Sequence, residues 1–247
     1  MPESKLLTDL QDGVLTLTLN RPDKLNAIDN ELAACLLGAL EAGSADAAVR
    51  VMRLRGKGRA FCAGRDVGAE PTEQDLVLVQ AVAKAIVRSP KPVLAEVHGW
   101  TVGAGLEWML DADVVVAAES TRFKLPEASL GVFVTGGLSV TLQASVGLAR
   151  AKALTMFGEV FTARQALEWG MVYKVVPDAD LDDASWRAAL TLAALEPTVA
   201  AQYKRVFNQL GLEAFDRAID EENASQRFFG GDGADGDGLR RSATPCQ

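Results

Sequence analysis

PVLAEVHGWTVGAGLEWMLDADVVVAAESTRFKLPE, residues Pro92 to Glu127, decides how this chain folds. Its opening run, Pro92 to Val97, has the apolar character of a buried strand. Gly99, Gly103, Ala104 and Gly105 follow, small residues that let a ligand approach the backbone closely. From Gly103 the spacing Leu106, Met109, Leu110 is helical, so this turn predicts a helix N-terminus. Free N–H groups and the positive end of the helix dipole stabilise negative charge at such an end. Glu107 lies one turn into the helix, and Pro126-Glu127 comes after a second apolar run, Ala112 to Ala118. A turn suited to an oxyanion, with two carboxylates close in sequence, points to acid–base chemistry on a carbonyl compound.

Working outward, Gly13 to Asn20 alternates apolar and polar residues like a half-buried strand, and Arg21-Pro22-Asp23 stops it. Asn30 to Leu40 carries a helical pattern, with Asp29 or Asn30 as its cap. Val51 to Arg55 reads as a short strand, Gly56–Gly64 as a loop and Asp75 to Val87 as a helix. Downstream, helices are predicted from Gly136-Gly137 to Val146, over Ala149–Met156, and over Ala163–Trp169 with Thr162 as N-cap. A short strand at Val172–Val176 precedes three helices, Asp182–Leu195, Pro197–Leu210 and Glu213–Phe229. The alternation is that of an α/β protein, but periodicity alone leaves several α/β architectures open.

At 247 residues the chain fits one large domain, and 49% hydrophobic with 23% charged residues is ordinary for a soluble globular protein. No apolar run approaches the roughly 20 residues that span a bilayer, and the first residues lack the pattern of a secretory signal. Three widely spaced cysteines, Cys35, Cys62 and Cys246, have no metal-ligand spacing. A cytoplasmic protein without a metal site or membrane association is expected. The net charge of −8 argues against nucleic-acid binding through a broad basic surface.

The stretch resembles the core of the enoyl-CoA hydratase/isomerase (crotonase) family. The turn residue that supplies an oxyanion-hole N–H in that family is Ala104 here, the glutamate three residues on is Glu107, and Pro126–Glu127 matches the second glutamate. Ala60-Phe61-Cys62-Ala63-Gly64-Arg65-Asp66 matches a further family motif, in which Ala63 is taken to give the other oxyanion N–H. Leu19-Asn20-Arg21-Pro22 with Asn26-Ala27 matches the family's opening motif, and the likeness runs from about Gly13 to Leu210. The resemblance implies a right-handed spiral of ββα units and a C-terminal helical region that builds trimers. The expected division is a crotonase core over 1–190, helices over 191–229 and a disordered tail over 230–247, in a homotrimer or a dimer of trimers.

The resemblance further implies hydration of an α,β-unsaturated acyl-CoA thioester. Two backbone N–H groups stabilise the thioester enolate, Glu107 deprotonates the attacking water, and Glu127 delivers a proton to Cα. An enoyl-CoA isomerase or another acyl-CoA lyase or hydrolase is the same-class alternative, and a non-catalytic RNA-binding or assembly protein the alternative of another class. Coenzyme A enters as part of the substrate, held by backbone groups around Lys24, Leu25 and Ala63 to Asp66, with Lys24 and Arg65 available for phosphates. No separate cofactor is expected.

Plainer readings stand beside these. A lone glutamate is ordinarily a solvated helix face, and Lys24 and Arg65 read equally well as surface cations. Trp100 and Trp108 read first as core packing, with a pocket wall as the alternative. His98, the single histidine, suits a buried residue hydrogen-bonded to backbone, and no G-x-S-x-G motif accompanies it. Cys62 lacks an activating partner in sequence and reads as packing. A G-x-G-x-x-G loop fails at Trp108. The 130–137 segment lacks the proline that many relatives carry, and bulky Phe133 and Val134 are expected to alter the acyl end. The Gly/Asp-rich tail lacks the glutamate of a calcium loop.

Overall fold

A computed structural model of the protein describes residues 4–66, 68 and 72–230. The first element is a hairpin: β1 (Leu6–Gln11) pairs antiparallel with β2 (Val14–Leu19) across Asp12-Gly13. Both turn residues have positive φ, 51° and 78°, as a two-residue Asp-Gly connection requires. α1 (Asn30–Ala45) is capped by the Asp29 side chain, which accepts from Leu32 N at 2.9 Å. β3 (Val51–Gly56) and β4 (Ala60–Cys62) lead to α2 (Glu73–Arg88), entered through a Thr72/Asp75 capping box.

The decisive stretch forms β5 (Val93–Val97), β6 (Trp100–Val102), α3 (Ala104–Asp111), β7 (Val114–Ala118) and β8 (Arg122–Lys124). Then come α4 (Glu127–Leu130), α5 (Leu138–Val146), α6 (Leu148–Phe157), β9 (Phe161–Thr162), α7 (Ala163–Glu168) and β10 (Lys174–Val176). α8 (Leu181–Ala193), α9 (Pro197–Gly211) and α10 (Phe215–Gly230) close the described chain. Among the described residues no helix is long and apolar enough to cross a membrane.

The strands separate into two sheets, ordered β1-β2-β3-β5-β7-β10 and β4-β6-β8-β9. The larger is parallel beyond its hairpin, and the smaller is antiparallel only at β8/β9. Each of β3-β4-α2 and β5-β6-α3 visits both sheets before its helix, which is the ββα spiral expected from the resemblance. The sequence reading took Gly56–Gly64 as a loop and missed β1, β4, β6, β8 and β9. Four of those five strands have two or three residues, too few to show a period. The tail expected over 230–247 lies outside the described residues beyond the end of α10 at Gly230.

Burial on the larger sheet alternates with the pleat. Leu17, Leu54, Ala95 and Ala117 point into the main core with Leu32, Leu36, Val82, Ile86, Leu106 and Met109 from the helices. Leu94, Val116 and Ala118 face the other way and pack with Leu181 and Ala184 of α8. On that side Glu96, 1% exposed, pairs with Arg53 and accepts from Ser185 Oγ at 2.5 Å. The pair is further tied to Asp182, which also meets the Arg53 guanidinium, although Arg53 Nε has no partner among the described residues.

The link between the hairpin and the smaller sheet depends on Asn26. It is fully buried at φ 55°, donates from Nδ2 to Lys57 O (3.0 Å) and Ala60 O (2.8 Å), and accepts from Arg21 N (2.8 Å). This explains why asparagine, which tolerates the left-handed region, stands there. At the far end of α3, Lys204 from α9 donates to Asp113 Oδ2 (2.8 Å) and Ile86 O (2.7 Å), tying the C-terminal helices to the core. Neighbouring Asp111 is 4% exposed, and both its carboxyl oxygens lack a partner among the described residues. Burial, then repulsion by Glu107 and Glu222, pushes its pKa well above 3.8.

Two predictions follow from these buried polar groups. Asn26→Ala should lose about 3 kcal/mol of stability, read as the denaturant midpoint at constant slope, since it orphans three backbone groups and puts alanine in a left-handed conformation. Asp111, protonated longer when folded, contributes stability that is full below the unfolded pKa and declines as pH rises. Asp111→Asn should therefore melt like the wild type near pH ~4 and several degrees higher near pH ~8. Equal melting of the two proteins at both pH values would refute a buried neutral acid.

Candidate active site

Three backbone hydrogen bonds zip the segment after the hairpin to the segment after β4. Ala63 N donates to Leu25 O (3.0 Å), Ile28 N to Gly64 O (2.8 Å) and Asp66 N to Ile28 O (2.9 Å). Ala63 and Leu25 therefore meet, as the sequence reading grouped them. The Ala63 amide is already engaged, however, and is not free to hold an oxyanion. On the same turn the Arg65 N–H has no acceptor among the described residues. Gly64 lies between them at φ 86°, and a Cβ there would stand 2.9 Å from Val102 O and 3.7 Å from Ala104 N. Only glycine brings this turn so close to the start of α3.

At that start Gly103 serves as N-cap with φ 51°, and its carbonyl accepts from Leu106 N (2.8 Å) and Glu107 N (3.0 Å). The Ala104 amide, at the first helical position, has no acceptor among the described residues, as expected of a helix N-terminus. Two unpaired amides, Arg65 and Ala104, thus belong to turns in contact. Gly105 packs so tightly on Cys62 that a Cβ would lie 2.6 Å from the cysteine Cβ. Burial pushes the Cys62 thiol up to about 12, in keeping with a packing role.

The two glutamates come to the same place from different elements. Glu107 is 1% exposed and accepts from Thr135 N (2.9 Å), Thr135 Oγ1 (3.0 Å) and Gly136 N (3.0 Å). Glu127 starts α4, and its Oε1 rests against Gly103, where a Cβ would approach to 2.6 Å. Its Oε2 is buried with no partner among the described residues. Burial, then repulsion by Glu127 and Glu222, raises the Glu107 pKa to about 8 against the hydrogen bonds from Thr135. Burial raises Glu127 to about 7. A pair of carboxyls kept from ionising together near neutral pH can take and give a proton.

The remaining expected binding residues divide. Lys24 is exposed in the Pro22–Lys24 turn, and Leu25 follows it at φ 51°. The Arg65 side chain pairs with Asp75 at 2.8 Å, and Asp66 with Arg21 at 3.0 Å. The Arg21 bond holds the Asp66 carboxyl below its usual range. The side chains of Arg65 and Asp66 are thus in use as ties. Trp108 is core, with Nε1 donating to Val79 O at 3.1 Å, whereas Trp100 is 41% exposed and does not fit the core reading. His98 bonds to Gly58 O (2.8 Å) as expected but is half-buried rather than enclosed. Phe133 is exposed and Val134 buried.

Sequence reasoning missed Thr135 and Glu222, for which only the Gly136-Gly137 pair gave a signal. A recess of about 500 Å³ lies elsewhere, on the outer face of β1–β3. Its Arg53 and Arg55 are already paired with Glu96 and Asp182, so it lacks free charge for an anion.

Comparison with known proteins places the chain in a family. The family model described as Enoyl-CoA hydratase/isomerase matches residues 9–229. The chain is 34% identical over 235 residues to the 1,2-epoxyphenylacetyl-CoA isomerase of Escherichia coli K12, covering 91% of this chain and 90% of that protein. It is 39% identical over 196 residues to the 2,3-dehydroadipyl-CoA hydratase of the same organism, covering 77% and 74%. The crystal structure of an enoyl-CoA hydratase from Mycobacterium avium subsp. paratuberculosis K-10 superposes with a TM-score of 0.87 at 30% identity, covering 92% and 91% of the two chains. With that match across nearly its whole described length, the chain belongs to the enoyl-CoA hydratase/isomerase (crotonase) family.

Proposed function

We propose that the protein is an enoyl-CoA hydratase, adding water across the 2,3 double bond of an α,β-unsaturated acyl-CoA. The observation that carries the reading is the pair of raised carboxyls, Glu107 and Glu127, beside two unpaired amides on touching turns. As water attacks Cβ, electron density moves onto the thioester oxygen. N–H donors aimed at that oxygen lower the barrier without reorganising. Ala104 keeps the donor role expected of it. The second donor is Arg65 rather than Ala63, because the Ala63 N–H already serves Leu25 O.

The roles of the two carboxyls follow from hydrogen bonding and burial. Three donors meet the oxygens of Glu107 and orient it to accept a proton. Burial holds its pKa at about 8, above the value of about 7 for Glu127, so the reactive form is the minority one in which Glu127 carries the pair's single proton. Glu107 therefore takes a proton from water, the hydroxyl bonds to Cβ, and Glu127 passes its proton to Cα. The two titrate as a coupled pair, so activity should peak between its limbs. The chemistry so written calls for no metal or redox group, and coenzyme A enters with the substrate. Backbone around Lys24, Leu25 and 63–66 offers its binding edge, with the exposed Lys24 ammonium for a phosphate. Arg65 and Asp66 serve that edge through backbone, since their side chains are paired.

An enoyl-CoA isomerase is the second reading, favoured by the likeness to a relative named as an isomerase. Product analysis separates the two. Self-association has independent support in α9, where Tyr203, Phe207 and Leu210 are 67%, 70% and 78% exposed on one helical face. The reading is a homotrimer or dimer of trimers built through helices of the 191–229 region. Phe207→Asp should shift sedimentation toward monomer, and a wild type that sediments as monomer at micromolar concentration would remove this reading.

Conversion of α,β-unsaturated acyl-CoAs to 3-hydroxyacyl-CoA, followed as loss of the conjugated thioester absorbance with product mass, tests the function. Glu107→Gln and Glu127→Gln should each lower kcat by about a hundredfold or more with acyl-CoA affinity nearly unchanged. Gly103→Ala should cost roughly a hundredfold as well, since its Cβ displaces Glu127. The pH–rate profile should be bell-shaped with limbs near 7 and 8. A flat profile across that range would count against the carboxyl pair.

A further inference from the structure

Glu222 lies on α10, 115 residues after Glu107 in the chain, yet its buried carboxyl reaches the same segment of backbone. It accepts from Gly137 N (2.8 Å), Ser139 N (2.9 Å) and Ser139 Oγ (2.6 Å). Two residues upstream, Thr135 and Gly136 donate to Glu107. The segment 135–139 is thus held at one end by each carboxylate.

The rest of α10 grips the same stretch. Gln226 Oε1 accepts from Phe133 N at 2.7 Å, and the Phe215 ring lies where a Cβ on Gly137 would approach to 2.3 Å. Phe215, Glu222 and Gln226 stand at i, i+7 and i+11, on one face of the helix. Gly137 is at φ 82° and Gly136 beside it is also glycine, so the stretch has little stiffness of its own. What fixes the donors to Glu107 is contact with α10.

We propose that Glu222 is a positioning residue for hydration, fixing from α10 the 135–139 backbone whose donors orient and hold Glu107. The inference rests on the assignment of Glu107 as the base. The charged groups around Glu107 are Glu127 from α4, Asp111 from its own helix and Glu222 from α10, with Lys204 of α9 acting on Asp111. Of these, Glu222 shares the 135–139 backbone with Glu107 and does not touch substrate in the proposed reaction. Its charge also keeps Glu107 basic.

The test compares Glu222→Gln with the wild type and with Glu221→Gln, a change at an exposed position of the same helix. Glu222→Gln should lower kcat about tenfold with KM within about twofold, as expected when a base is misplaced rather than removed. The pH limb owed to Glu107 should move to lower pH, because a repelling charge is gone. Amide hydrogen exchange over 131–140 should speed up while the core strands keep their protection. Ser139→Ala, which deletes one donor to Glu222, should show the same changes in smaller degree even if Glu222→Gln folds poorly. Wild-type kcat and pH profile in Glu222→Gln, or in Ser139→Ala should Glu222→Gln not fold, would overturn the proposal. So would a fall in kcat with the limb and the 131–140 exchange unmoved, which marks a merely structural role. Glu107→Gln is assayed in parallel. If it hydrates like the wild type, the assignment of the base fails, while the exchange result still reports whether Glu222 holds the segment.

Discussion

A carboxylate removed from water must be met by donors, and the site is built around that demand. Glu107 sits on the first turn of α3 with 1% exposure, deep enough that burial alone raises its pKa. The donors come from Thr135 and Gly136, which precede α5 and are remote from α3 in sequence. The position of that segment depends in turn on α10. A chain of hydrogen bonds therefore runs from the last described helix to the first turn of α3.

The same demand explains the distribution of glycine around the site. Gly64 leaves room for the start of α3, Gly103 for the Glu127 carboxyl, and Gly136 for the Glu107 carboxyl. At each position a Cβ would lie 2.9 Å or less from a polar oxygen. The turn that opens α3 is assembled by close approach of backbone to backbone and to carboxyl, with side chains kept out. Further from the site, buried Arg53 is paired with Glu96 and buried Lys204 with Asp113. The Asp111 carboxyl has no partner among the described residues, and burial pushes its pKa up toward the neutral form.

Much of the fold was legible along the chain. Long elements with a clear period appeared near their expected places, among them β2, β5, α1, α2 and α9, and Asp29 and Thr162 cap their helices as expected. The short strands of the smaller sheet were not legible, since Ala60–Cys62, Trp100–Val102 and Arg122–Lys124 pair only with strands brought in from elsewhere. Trp100 was misread for the same reason. A tryptophan at the start of a three-residue strand of that sheet shows nothing in sequence of its 41% exposure.

The sequence by itself determined the local equipment: a glycine-rich turn opening a helix, a glutamate one turn in and a second after Pro126. Those features are set by residue type and spacing, which act over a few residues. The tertiary structure alone decided which amides lack an acceptor among the described residues and which carboxyl oxygens meet donors. Ala63 and Arg65 are two residues apart on one turn, yet the first donates to Leu25 and the second to nothing described. Glu107 and Glu127 carry the same side chain, yet one meets three donors and the other leaves an oxygen bare. Hydrogen-bond occupancy and desolvation depend on what the fold packs alongside each group, and spacing along the chain carries no record of that.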